Sequence, residues 1–201
     1  SAFIYDYSQI HTFGSEATSL GGVTTSILPA PGAEVQGFEV EILWLATDNI
    51  TLGGNYSYTP NKFTESLLLA NTNDPRIPPS LFNAVEIRND VNGNQLLNVA
   101  ENKGSAYVSY GFPFSSGNLE MLASYSWVDG VFHTPFEDDL DSTPGYERLD
   151  LRATWKNSDE SFIIAAFANN VLNEIGIRQL ETHGEGDGFR RTGQTTEPRF
   201  R

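Results

Sequence analysis

Cysteine is absent from the 201 residues, which excludes a disulfide framework and a thiolate metal centre and says little about compartment. Bases are scarce: 12 lysines and arginines stand against 26 aspartates and glutamates, a formal charge of −14. Such a chain cannot neutralise a row of phosphates, so nucleic acid is excluded as a partner. No stretch approaches the ~18 uninterrupted apolar residues of a membrane helix, and the opening SAFIYDYSQIHTF lacks the basic start and apolar run of a signal peptide. The protein is therefore soluble or meets a membrane as strands. Catalytic signatures are missing as well: there is no G-x-S-x-G elbow, no H-E-x-x-H pair and no P-loop. GEGDG at 184–188 shares only its glycines with a phosphate loop and reads as an outer loop. No enzymatic activity and no cofactor are expected.

What the chain does have is aromatics (12%), 18 glycines and only 39% hydrophobic residues, a composition that favours short strands and turns. Strict alternation recurs in segments of roughly ten residues. In GFEVEILWLATDNITLGGNYSY, residues 37–58, Phe38, Val40, Ile42 and Trp44 oppose Glu39 and Glu41, and after a turn Ile50, Leu52, Tyr56 and Tyr58 oppose Thr51, Asn55 and Ser57. Further on, Ala106, Val108, Tyr110, Phe112 and Phe114 share a face; so do Leu119, Met121, Ala123, Tyr125 and Trp127, with Leu122 as an exception. In YERLDLRATW, Leu149, Leu151, Ala153 and Trp155 oppose Arg148, Asp150, Arg152 and Thr154. Residues 1–13 and 161–172 are strands by composition with less clearly divided faces.

Short turns at Thr47–Asn49, Ser115–Asn118 and Asn157–Glu160 are interleaved with long links at about 14–33, 60–102, 131–144 and 174–196. Short connections on one rim and long ones on the other describe an all-β, antiparallel up-and-down sheet of the transmembrane-barrel type. Trp44, Tyr56, Tyr58, Phe112, Phe114, Tyr125, Trp127 and Trp155 stand near strand ends, where a bilayer–water boundary favours such rings. On this reading lipid covers Phe38, Val40, Ile42 and Trp44, and the barrel interior hydrates Glu39, Glu41, Arg148, Asp150 and Arg152. The competing reading is a soluble sandwich with core aromatics.

Ligand-type side chains cluster only in HTPFEDDLDS, His133 to Ser142, whose spacing fits no calcium loop, so an acidic solvated loop is expected and no metal site. Long ordered outer loops are where a receptor meets its ligand. The expected contacts are Arg76, Phe82 and Arg88 in the proline-stiffened loop 60–102, and His133, Phe136 and Asp138 in 131–144.

Several patches run in order along the chain: FIYDYSQI; QGFEVEILWLATDNITLGGNYSYT, with Gly37, Glu39, Glu41, Leu52 and Tyr58; NGNQLLNVAENKGSAYVSYGF; TPGYERLDLRATW; FANNVLNE; and EPRF. Together they resemble the C-terminal barrel of TonB-dependent outer-membrane receptors. The resemblance implies a bacterial importer, a 22-stranded barrel closed by a plug. It binds a scarce nutrient, most often a ferric siderophore, and is energised by TonB. It implies as partners membrane lipid and lipopolysaccharide, a small-molecule ligand such as a metal chelate, and the TonB complex through an N-terminal region. On it, residues 1–201 are the C-terminal part of the barrel, with plug and final strand absent and about seven complete strands present. The start inside a strand pattern agrees with a piece of a longer protein. Two other functions compete: a soluble secreted β-protein binding carbohydrate, and a complete small outer-membrane barrel serving as adhesin or anchor. The last would pair residues 1–13 with the C-terminal strand.

Overall fold

The computed structural model describes residues 1–17, 23–71, 74, 76–78, 88–185 and 188–195. Among them the strands are β1 (Ala2–Tyr7), β2 (Ile10–Ala17), β3 (Val23–Ala30), β4 (Ala33–Thr47), β5 (Ile50–Tyr58), β6 (Asn61–Phe63), β7 (Leu68–Ala70), β8 (Arg88–Asp90), β9 (Asn102–Phe114), β10 (Gly117–Val128), β11 (Val131–Phe132), β12 (Ser142–Thr143), β13 (Tyr146–Asn157), β14 (Ile163–Ala168), β15 (Ile177–Glu185) and β16 (Gly188–Thr195), with a 3-10 turn at Asp139–Asp141.

The main sheet runs β1-β4-β5-β9-β10-β13-β14, every pair antiparallel and each strand beside the next long one in sequence. This is the up-and-down wall that the alternation predicts, with seven strands in its path. β6 resumes the register of β5 against β4, Val35 opposite Asn61 after Phe38 opposite Tyr58, so the two form one ribbon interrupted at Thr59–Pro60. Among the described residues β1 pairs only with β4 and β14 only with β13, leaving both outer edges of the path free. Residues 196–201, including all of EPRF, lie outside the described residues.

The short turns close tightly at one rim. Thr47 Oγ1 accepts from the backbone N–H groups of Asn49 (3.2 Å) and Ile50 (3.0 Å). Gly117, at φ 152°, opens β10 in a conformation where a Cβ would strike the carbonyl of Lys156, so only glycine fits. Asp159 accepts from Asn157 Nδ2 (2.5 Å) and Ser161 Oγ (2.8 Å) in the third turn.

At the other rim the structure departs from the sequence reading. Residues 1–13 are not one strand: the chain breaks at Ser8–Gln9, sending β1 into the wall and β2 into a second sheet, β3-β2-β7-β8. The links 14–33, 60–102, 131–144 and 174–196 are not irregular loops either, because each carries strands, among them the hairpins β2–β3 and β15–β16. The tip of the latter holds GEGDG, with residues 186–187 outside the described ones.

The buried core sits in this outer layer rather than in the wall. Ala30, Phe63, Leu69 and Val91 are buried together, with Ile10, Leu28, Leu67, Leu96, Leu97 and Phe136 packed around them. In the wall, Met121 remains 48% exposed and Leu151 40%, so no second layer of the described residues covers them.

Candidate functional site

Register shows how the wall divides into two faces. Phe38, Val40, Ile42 and Trp44 lie opposite Tyr58, Tyr56, Gly54 and Leu52. The same face continues through Ala106 and Val108 to Ala123, Tyr125, Leu149 and Leu151 and ends on Ala166 and Ala168. Two aromatic girdles bound this belt. Toward the long links, Phe38 contacts Tyr56 (5.8 Å) and Tyr58 (5.9 Å), and Trp127 stacks on Tyr56 (6.4 Å) and Tyr125 (5.8 Å). Toward the short turns, Tyr110 meets Phe112 edge-on (4.1 Å) and Trp155 meets Phe162 (6.3 Å), with Trp44 near the same rim. From Leu119 to Trp127 the strand rises roughly 27 Å, or roughly 20 Å of height at the ~40° tilt of membrane barrels, close to the ~25 Å belt such barrels carry. An apolar trough of about 530 Å³ lies across this face, lined by Val108, Tyr110, Met121, Ala123, Leu151 and Ala166 among others. Its lining is almost entirely apolar, so it offers a polar ligand few partners.

The opposite face carries the charged candidates. Glu39 and Glu41 lie across from Ser57 and Asn55, and Arg148, Asp150 and Arg152 across from Ser126, Ser124 and Leu122. Arg148 and Arg152 each reach a side chain two residues on along their own strand. Arg148 Nε donates to both Asp150 oxygens (2.9 and 2.8 Å), and Arg152 Nε donates to Thr154 Oγ1 (3.2 Å). Residues i and i+2 on one strand share a face, which brings these groups within reach of each other. The face is not uniformly wet, since Leu43 and Leu45 point into it near the short-turn rim, 68% and 72% exposed.

In the outer layer the structure unites some loop candidates and separates others. Arg76 donates to both Asp74 oxygens (Nε 2.7 and 3.0 Å) and reaches across to Asp138, tying the 60–102 segment to the 131–144 segment. These hydrogen bonds raise the Arg76 pKa, and the Arg76 guanidinium holds the Asp74 carboxyl below the usual carboxylate range. Asp138 also accepts from the backbone N–H of Leu140 (3.0 Å), capping the 3-10 turn. His133 sits between the same segments: Nδ1 lies 2.6 Å from Asn98 Oδ1 and Nε2 3.2 Å from Thr143 Oγ1. Burial lowers its pKa, opposed by the charge of Asp141. Phe136 packs on the buried cluster and is structural in its surroundings. Arg88 stands exposed on β8 opposite Ala70. Phe82 lies outside the described residues.

The acidic run does not converge on a point. Glu137 accepts from the backbone N–H of Gln95 (2.6 Å), and buried Asp141 accepts from Thr134 Oγ1 (3.4 Å). Among the described residues no group of three or more metal-ligating side chains comes together. Asn98 and the Gln95–Glu137 contact escape sequence reasoning because the partners lie 35 and 42 residues apart; Asp74 and Thr143 stand 2 and 10 residues from Arg76 and His133, but no local pattern marks them out; the asparagines of VNGNQLLN mark turns but not what the turns hold.

Residues 1–171 of the chain that folds into this two-faced wall match the family model described as TonB dependent receptor-like, beta-barrel. The chain belongs to the TonB-dependent receptor family. Solved receptors share the fold. The ferric yersiniabactin uptake receptor FyuA from Yersinia pestis aligns with a TM-score of 0.62 at 16% identity, over 85% of this chain and 23% of that one. The siderophore receptor PiuA from Acinetobacter baumannii gives 0.59 at 18%, over 88% and 22%. BauA, the ferric preacinetobactin receptor from Acinetobacter baumannii, gives 0.57 at 13%, over 88% and 23%. The chain thus spans about a quarter of the length of these receptors. No curated protein sequence matches it.

Within this TonB-dependent receptor barrel, two of the sequence patches prove to be one physical unit. Where β14 ends, Asn170 and Asn173 adopt positive φ (50° and 54°), a region asparagine tolerates. The Asn170 N–H donates to Asp150 Oδ1 (2.8 Å), Val171 N–H to the Leu149 carbonyl (2.8 Å), and Glu147 N–H to Glu174 Oε2 (3.0 Å). FANNVLNE is thereby knotted to YERLDL.

Proposed function

We propose that this chain forms about a third of the wall of an outer-membrane uptake receptor in a Gram-negative bacterium, importing a scarce nutrient with energy delivered through TonB. A ferric siderophore is the foremost cargo, by likeness to FyuA, PiuA and BauA. The observation that carries the reading is the pairing of a girdled apolar belt on one face with a charged face on the other, topped by an ordered outer layer. Lipid covers the first face and the water-filled or plugged lumen hydrates the second. The free edges of β1 and β14 support further wall strands on both sides, since each unpaired backbone group in hydrocarbon costs several kcal/mol. A plug and the TonB-gripping region belong to the rest of such a receptor. The outer layer is the first surface a ligand meets, with lipopolysaccharide and lipid around the belt.

The test is uptake of radiolabelled iron, as defined ferric chelates, by iron-starved cells carrying or lacking the gene, each with and without TonB. The expected result is uptake that needs both. Uptake indifferent to either would sink the transport reading, while the barrel itself would stand.

A further inference from the structure

The trough across the belt has a floor of small side chains. Ala153 on β13 lies opposite Ala166 on β14, with Ala168 two residues further along β14 and Ala123 one row away on β10. Larger groups stand around this floor: Tyr110 lies opposite Met121, and Leu151 lies between Ala123 and Ala168. All of them line the same hollow of about 530 Å³. Arg152 also edges it, but its register places the side chain on the opposite face, where Nε donates to Thr154 Oγ1 (3.2 Å). Ala166 and Ala168 are exposed.

The trough belongs to the short-turn half of the belt. Beyond Ala153 comes Trp155, which meets Phe162 (6.3 Å), and then the turn that begins at Asn157, roughly 14 Å along the strand from Ala153. Short turns face the periplasm in barrels of this kind, so the trough lies in the periplasmic leaflet. The three short turns with Lys156 carry the carboxylates Asp48, Asp159 and Glu160 against that one ammonium, which already lies 3.8 Å from Glu160. A rim of this sign attracts a cationic headgroup and repels an anionic one.

We propose that the trough seats one acyl chain of a zwitterionic aminophospholipid whose headgroup lies at the Asn157–Glu160 turn. The proposal rests on the reading of the belt as the lipid-covered wall of a receptor. Bulk lipid is as apolar as the trough, so a chain that enters it gains nothing from leaving water; what holds it is dispersion contact and the charge of the headgroup. A chain lying on the flat of the belt touches protein along one side only. A chain in the trough touches floor and walls, and this lipid therefore exchanges more slowly than its neighbours.

The test takes the whole receptor from vesicles of phosphatidylethanolamine and phosphatidylglycerol with identical chains and counts retained lipid by native mass spectrometry. Phosphatidylethanolamine should be retained in preference. Ala153→Leu with Ala166→Leu fills the floor and should lower that retention about tenfold, the worth of roughly ten carbon–carbon contacts. Val40→Phe, on the belt but outside the trough, should leave it unchanged. A phosphatidylethanolamine with a diazirine on its acyl chain should label residues 151–168 of the unaltered receptor more heavily than residues 37–58, which decides the matter even where the filled variant does not insert. Equal retention of the two lipids, retention untouched by the alanine substitutions, or even labelling of the two segments overturns the seat and leaves the transport reading standing. A receptor that carries no phospholipid and stays outside the vesicles overturns the lipid-covered wall and the transport reading with it.

Discussion

At the scale of single residues, His133 and Arg76 hold the outer layer together by different physics. His133 is partly buried between Asn98 and Thr143, and the cost of desolvating a cation there outweighs the pull of Asp141. A histidine with a lowered folded-state pKa stabilises the fold in its neutral form. Its contribution is fully present above the ordinary value of 6.5 and is lost as pH falls from there through the folded value. Proton NMR of the imidazole should give a midpoint below 6.5, and protease cleavage of the 131–144 segment should rise as pH drops through that window. A midpoint above 6.5 would show that Asp141 dominates. The Arg76 bridge is solvent-exposed and screened, so Arg76→Gln should leave the unfolding midpoint of the barrel where it is. The effect to look for is local: faster cleavage of the 60–102 segment, equal in Arg76→Gln and Asp138→Asn, and no greater in the double variant. An additive double variant would mean that the two residues act separately.

At the scale of the element, the hairpin β9–β10 depends on Gly117. A side chain there meets the Lys156 carbonyl on the neighbouring strand and must adopt φ 152°, a strain of ~1–3 kcal/mol that Gly111→Ala, with open space around it, does not impose. Urea unfolding of the refolded receptor in vesicles should separate the two variants by about that amount; equal stability would show that the turn can relax. Close packing recurs where Trp127 lies over Gly104 and Tyr107 over Gly53, leaving no room for a Cβ at either glycine. This scale also shows why the wall was legible in the sequence and the outer layer was not. A strand with lipid on one side and water on the other must alternate, so β4, β5, β9, β10 and β13 announce themselves over 9–15 residues. β6, β7 and β8 have three residues each, too few for a period to appear. The kink at Ser8–Gln9 carries no proline or glycine. The Arg76–Asp138 contact joins residues 62 apart in sequence, which no local pattern encodes. β1 was ambiguous for another reason: Ile4 faces the belt side and Phe3 and Tyr5 the other, so both faces look greasy.

At the scale of the whole molecule, everything turns on which solvent wets the belt. Ala123 lies midway up it, between Met121 and Tyr125 on its own strand and opposite Val108 and Leu151 on its neighbours. Its neighbour Ser124 points the other way, toward Asp150 and Tyr107. In hydrocarbon a guanidinium near the midplane costs ~2–4 kcal/mol, whereas on a hydrated face beside a carboxylate it costs little. Ala123→Arg and Ser124→Arg therefore place the same side chain one residue apart in two solvents. Urea titration of each variant in vesicles should show a loss of ~2–4 kcal/mol for the first and a much smaller change for the second. The difference between them is informative because β-propensity and side-chain entropy are shared and cancel. Equal losses would mean that the belt is covered by protein, a reversed order would exchange lumen and lipid, and either outcome would remove the physical basis for the girdles formed by Phe38, Tyr56, Trp127, Tyr110 and Trp155.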